Sequence, residues 1–144
     1  MSTAATPAWS TLLKIGDGAT PENFTTITEV RDISGPEISL DTADVTSHDS
    51  VGGWEEHIGT ILRSGNVTFD INYQPTDATH DAGTGLIADM VARTLRNFEL
   101  TFTDPGATTW SFSAIVVGFT PTMPVADELS ASVTLKVSGQ PTLA

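Results

Sequence analysis

A chain of 144 residues with 39% hydrophobic content has the length and apolar fraction of one domain with a real core, which excludes a disordered polypeptide. Eighteen acidic against six basic residues give a net charge of −12, contrary to the pattern of a protein that grips nucleic-acid phosphates or an anionic membrane surface. With no Cys, disulfides and thiolate metal sites are excluded; residues 1–10 lack the basic and apolar regions of a signal peptide, and no run reaches membrane-span length, so a soluble protein made in the cytoplasm is expected.

Residues 1–10 are small and polar around Pro7 and read as a flexible arm. A short apolar strand over 12–15 is stopped by Gly16-Asp17-Gly18, and a Thr-rich strand follows over 24–30. Ser34-Gly35-Pro36 breaks it, and residues 37–46 resume with Ile38, Leu40 and Val45 among polar neighbours. The stretch 47–65 differs: Ser47-His48-Asp49-Ser50-Val51-Gly52-Gly53 is polar and glycine-rich, and residues 54–62 alternate only weakly. Strand-like flanks around such a centre predict a long hairpin-like arm whose middle need not be ordered in a lone subunit.

Residues 66–73 carry the cleanest strand pattern, with Val67, Phe69, Ile71 and Tyr73 on one face and Asn66, Thr68, Asp70 and Asn72 on the other. Pro75 closes it. The period then changes over 79–96, where Leu86, Ile87, Met90, Val91 and Leu95 share a helical stripe. Asp89 precedes Arg93 by four residues, and Asp77 and Asp81 before the stripe, with Arg93 and Arg96 at its end, match a helix dipole. One helix is predicted there, its first turns weakened by Gly83 and Gly85.

Strands then return. Phe98, Leu100 and Phe102 alternate up to the turn Asp104-Pro105-Gly106. Trp110, Phe112 and Ala114 lead into Ile115-Val116-Val117, apolar on both faces as for a fully covered strand. Pro121 and Pro124 mark a loop, and Leu129, Ala131, Val133, Leu135 and Val137 form a last strand with Ser130, Ser132, Thr134 and Lys136 opposite. No βαβ rhythm is present, so the sheet is expected to be mainly antiparallel. The fold class is mainly β: an antiparallel β-sandwich or half-barrel with one flanking α-helix and a long hairpin-like arm, in a single domain over 1–144.

Little in the chain suggests chemistry. Gly16-Asp17-Gly18, Gly52-Gly53 and Gly83-Thr84-Gly85 are turns, since none belongs to a phosphate loop. His48-Asp49 with Glu55-Glu56-His57 is the most metal-like stretch, because imidazole and carboxylate bind zinc, iron or manganese, but its spacing matches no named motif and a polar loop accounts for it better. Ser64-Gly65 and Ser138-Gly139 lack the nucleophile elbow, and Asp41 with Asp44 read as solvated strand residues. No catalytic residue, cofactor or metal site is expected, and the chain does not read as an enzyme.

The string Leu12-Leu13-Lys14-Ile15-Gly16-Asp17-Gly18, followed by Phe24-Thr25-Thr26-Ile27-Thr28-Glu29-Val30 and Ile33-Ser34-Gly35-Pro36, resembles the opening of tail tube proteins of long-tailed, siphovirus-type bacteriophages. Leu40-Asp41-Thr42-Ala43-Asp44-Val45-Thr46-Ser47-His48-Asp49-Ser50 with Gly52-Gly53-Trp54-Glu55-Glu56 is similar to the segment that follows in that family, and Gly65-Asn66-Val67-Thr68-Phe69-Asp70-Ile71-Asn72-Tyr73 to the next strand. The likeness is strongest over 12–75 and looser beyond.

The resemblance implies a structural virion protein, located in the phage tail and assembled in the host cytoplasm. Its subunits would close into rings of six and stack into a tube that conducts DNA during ejection. Implied partners are further copies of the chain, the tape measure protein, tail initiator and terminator proteins, and genomic DNA passing without tight binding. The chain ends at Ala144 without the immunoglobulin-like domain some relatives carry, so no surface role of such a domain is expected. In this setting the stretch 47–65 becomes an assembly loop, with His48, Asp49, Trp54, Glu55, Glu56 and Ile58 as inter-subunit contacts. Asn66, Thr68, Asp70 and Asn72 are candidates to face the lumen, with the row Ser130, Ser132, Thr134 and Lys136 as the competing choice, and the acidic charge suggests a lumen that repels DNA. A monomeric β-sandwich module for tail completion, head decoration or carbohydrate binding stays open as the second class.

Overall fold

The computed structural model describes residues 3–144; Met1 and Ser2, at the start of the expected flexible arm, lie outside the described residues. The elements run β1 (Leu12–Gly16), β2 (Phe24–Thr26), β3 (Val30–Ser34), β4 (Ser39–Asp44), β5 (His57–Arg63), β6 (Asn66–Asn72), α1 (Leu86–Ala92), β7 (Leu95–Thr101), β8 (Thr109–Thr122) and β9 (Ser130–Leu143), with a 3-10 turn at Val51–Gly53. Seven strands form one sheet in the order β2-β1-β7-β8-β9-β6-β3, while β4 pairs with β5 as a separate two-stranded ribbon. Every pairing is antiparallel.

The chain itself forces the large sheet to curl. Its two edge strands, β2 and β3, are separated only by residues 27–29. The four Cα–Cα steps from Thr26 to Val30 reach at most about 14 Å. Seven flat strands would hold their edges roughly 29 Å apart at ~4.8 Å spacing. A half-barrel results, and β8 and β9, each 14 residues long, run through both of its halves. Register shifts between Ser111 and Ser113 and between Val116 and Gly118 supply the bend.

The inner face is the core. Leu13, Phe98, Leu100 and Phe112 come from one half and Val67, Phe69, Ile71, Ala131, Val133 and Leu135 from the other, all buried. Phe98 and Phe112 stack across β7 and β8 with centroids 5.8 Å apart. The connection between the two edges is tied down by Ile27, which is buried, and by His80. His80 Nδ1 accepts the Gln74 amide at 3.1 Å, so its Nε2 carries the proton and donates to the Thr28 carbonyl at 2.8 Å.

The helix is shorter than the 79–96 expected from its stripe, occupying only Leu86–Ala92 against β8. Before it, Asp81 Oδ1 accepts the amides of Gly83, Thr84 and Gly85 and holds a turn. After it, Arg93 adopts a left-handed conformation (φ 57°) and ends the helix, and Leu95 already belongs to β7. Asp89 consequently pairs with Arg96 on β7 and not with Arg93. Two further expectations change: Val117 is exposed while Ile115 is half-buried, so the second face of Ile115-Val116-Val117 is covered only in part, and Pro121 lies in β8 opposite Ala131.

Candidate functional site

The β4–β5 ribbon stands apart from the half-barrel. It covers Ser39–Asp44 and His57–Arg63, so the arm begins well before the expected 47. All seven residues of β5 are exposed. Ile38, Leu40, Val45, Val51, Trp54, Ile58, Ile61 and Leu62 are exposed large hydrophobics, Trp54 at 78%. At the root, Gly35 (φ 111°) lies against the β6 backbone, where a Cβ would sit 2.5 Å from the Asn66 carbonyl oxygen. This close approach fixes where the ribbon leaves the barrel.

The glycine-rich middle forms a 3-10 turn at Val51–Gly53. Gly52 and Gly53 both take positive φ in the 3-10 turn. Ser50 is buried beneath it, accepting the Ser47 amide at 3.0 Å and donating to Glu56 at 2.9 Å. The Glu56 amide donates to the Thr46 hydroxyl at 2.8 Å, and the Thr46 amide to Asp44 at 2.8 Å. The Thr46 side chain and amide hold the Asp44 carboxyl below the usual carboxylate range.

Of the sequence-derived contact candidates, His48, Asp49, Trp54, Glu55, Glu56 and Ile58 all fall on this one loop and strand, exposed. They do not form one cluster. Glu55 and His57 converge with Asp44, their ligating atoms all within 4.8 Å of one another, whereas His48 and Asp49 lie outside that group. Asp44 was not legible as a member, because only the pairing of Asp44 with His57 brings it there.

The second surface is the outer face of β6 and β9. The register pairs Asn66 with Lys136, Thr68 with Thr134, Asp70 with Ser132 and Asn72 with Ser130. The two rows that compete in the sequence are therefore one continuous polar face. Ser132 Oγ donates to Asp70 at 2.7 Å, and Asn72 Nδ2 donates to Glu29 at 3.2 Å. Asp70 and Lys136 are the charged members of these paired rows, and they cancel.

Other titratable groups are built into the fold. His80 is 0% exposed with both ring nitrogens engaged, so it cannot serve as a base toward a ligand. Asp89, 3% exposed, is joined to Arg96 at 3.0 Å; burial raises its carboxyl despite that neighbour, and its second oxygen has no partner among the described residues. A groove beneath the arm root is lined by Ile38, Ile61, Leu62, Trp110, Val137 and Pro141, with Glu37, Arg63, Ser64 and Lys136 among the polar residues around it.

The fold is shared with several assembled particles. A chain of the tail of an empty gene transfer agent particle, refined with C6 symmetry, superposes with a TM-score of 0.77 at 19% identity over 97% of this chain and 99% of that one. A chain of an extracellular contractile injection system, in its extended sheath/tube terminator, gives 0.72 at 18% identity over 100% and 99%. One from the anti-feeding prophage baseplate gives 0.69 at 13% identity over 100% and 97%. No curated protein matches the chain. A sequence match to the family described as lambda phage tail tube protein extends over residues 9–144, nearly the full length. On that match, the chain belongs to the lambda phage tail tube protein family, a structural component of the virion tail.

Proposed function

We propose that copies of this chain close into rings of six that stack into the tail tube, that the tube conducts DNA at ejection, and that the chain performs no catalysis. The observation that carries this reading is the β4–β5 ribbon, which covers no core of its own yet exposes large apolar side chains from Ile38 to Leu62. A two-stranded ribbon is marginal alone, and contiguous exposed apolar surface marks an interaction site. Such an arm favours a subunit that docks on its neighbours over a monomeric module for tail completion, head decoration or carbohydrate binding. Six-fold closure is supported by the C6 symmetry of the gene transfer agent tail of the same fold.

In this reading the loop 47–65, with His48, Asp49, Trp54, Glu55, Glu56 and Ile58, contacts neighbouring subunits. The β6–β9 face with Asn66, Thr68, Asp70 and Asn72 lines the lumen. That face offers no ladder of cations to phosphates, so DNA passes without being held. Asp70, with Glu29 bonded to Asn72 beside it, outnumbers Lys136 on this wall, which suits a lumen that repels DNA. The tape measure protein occupies the lumen before DNA, initiator and terminator proteins bound the tube, and assembly takes place in the host cytoplasm.

Electron microscopy of the purified chain tests this. Rings or tubes are expected at high concentration, and deletion of residues 48–57 is expected to leave a folded monomer that cannot polymerise. A strictly monomeric protein even with tape measure and initiator present, or normal tubes from the deletion, overturns the reading. A reconstruction with Asp70 on the outer wall refutes the lumen assignment.

A further inference from the structure

We propose that Asp44, Glu55 and His57 form a binding site for a first-row divalent transition-metal ion at the neck of the arm. Asp44 and His57 are directly opposite each other as the last pair of the β4–β5 ladder. Glu55 lies two positions before His57, and the period of an extended chain puts it on the same side. The three ligating atoms all lie within 4.8 Å of one another, although the residues come from both sides of the loop 45–56.

The spacing suits an ion. Tetrahedral bonds of 2.0–2.1 Å place neighbouring ligand atoms about 3.3 Å apart. His57 Nε2 and Glu55 Oε2 are already 3.4 Å apart, so an ion can bridge them with little movement. The third ligand, the Asp44 carboxylate, offers an oxygen within 4.8 Å of both. Asp44 is oriented by the Thr46 amide at 2.8 Å, a supporting contact of the kind that fixes metal ligands. One imidazole with two carboxylates favours zinc or cobalt over magnesium or calcium, which seek oxygen alone.

The surroundings also favour a cation. Residues 37–63 contain the acids Glu37, Asp41, Asp44, Asp49, Glu55 and Glu56 against the single Arg63, and that arginine is engaged 2.8 Å from Asp41. An ion at the neck relieves repulsion between Asp44 and Glu55. It also ties the two ends of the loop that carries Trp54, which lowers the entropy lost when the loop docks. This last consequence rests on the assembly reading above; the binding itself does not.

The full chain, stripped with a chelator, is titrated with zinc by calorimetry and with cobalt by visible absorption. Saturable binding of one ion per chain with a tetrahedral cobalt spectrum is expected, with magnesium giving neither. His57→Ala is expected to weaken binding at least about tenfold, as loss of even a supporting residue commonly does. Asp44→Asn should weaken it as well, and His48→Ala, in the same loop but outside the cluster, should not. Absence of saturable zinc binding, or binding unchanged in His57→Ala, overturns the site. Tubes that form equally at all zinc concentrations by a protein that does bind zinc overturn the consequence for assembly while the site stands.

Discussion

Replacing Trp54 by Ala tests the arm at its most exposed aromatic. The indole is 78% exposed in the single chain. A tryptophan presents up to about 250 Å², so roughly 195 Å² is available to a neighbour, an upper bound of roughly 5 kcal/mol at about 25 cal/mol per Å². Ordering the side chain costs about 1 kcal/mol, and incomplete coverage leaves about 2–4 kcal/mol, the range of interface hot spots. Each inter-subunit contact should therefore weaken about 30- to 1,000-fold. The critical concentration for tube growth, followed by light scattering, reads that change directly. The isolated fold should be indifferent, with the urea midpoint of the monomer equivalent to within about 0.5 kcal/mol, because the side chain fills no core. A Trp54→Ala protein that forms tubes at the wild-type concentration refutes the reasoning. So does one that fails only because its monomer has unfolded.

The Asp89–Arg96 pair gives a prediction about pH. Burial raises the Asp89 carboxyl in the fold above its ordinary value of 3.8, so the folded state binds this proton more tightly than the unfolded state. Its contribution to stability is fully present below the unfolded value and is lost as pH rises through the higher folded one. Asp89→Asn should remove that dependence and cost little at neutral pH, as urea titrations at several pH values would reveal. Arg96→Met should cost at the lower end of about 3–5 kcal/mol at pH 7, since it strands a buried carboxylate. Acidification, or adding Asp89→Asn, should restore most of the loss; a cost that survives both would mean that the Arg96 bond to the Gly16 carbonyl at 3.0 Å matters more than the charge. His80→Ala leaves the Gln74 amide and the Thr28 carbonyl without their partner, and at about 1–3 kcal/mol for each of the two orphaned groups should destabilise by about 2–6 kcal/mol in denaturant. His48→Ala, exposed on the loop, should stay within about 0.5 kcal/mol; equal effects of the two substitutions would contradict the bonds assigned to His80 at the connection between the two edge strands.

Alternation made much of the sheet legible in the sequence. Val67, Phe69 and Ile71 are buried as their spacing requires, and Ala131, Val133, Leu135 and Val137 likewise. The helix was overextended because its stripe includes Leu95, which is exposed on β7 and packs nowhere as a helical residue. Local sequence could not signal the left-handed Arg93 that ends the helix, since glycine, the usual residue there, is absent. Asp89–Arg93 was the pair a helix would make; the helix end at Ala92 hands the partnership to Arg96. His80 gave no signal at all, because its role depends on Thr28, 52 residues away.

The two polar rows show most clearly what a sequence withholds. Each alternates perfectly, and alternation alone cannot tell whether two strands share a face or oppose each other. The register decides it, and setting Asn66 against Lys136 and Asp70 against Ser132 merges the rows into one polar face. The same logic applies to the arm. Its residues alternate only weakly around a glycine-rich centre, and the topology adds that β4 and β5 pair only with each other. Leu13, Phe98 and Val133 sit in the core of the half-barrel, whereas the large apolar residues from Ile38 to Leu62 on the ribbon keep between 42% and 83% of their surface exposed. The acids interspersed along that ribbon oppose its pairing with an identical ribbon, as charges on exposed strands commonly do, and so favour a partner of different shape and charge. Head-to-tail contact between unlike surfaces of identical subunits meets that requirement, and it is the contact that extends a tube without limit.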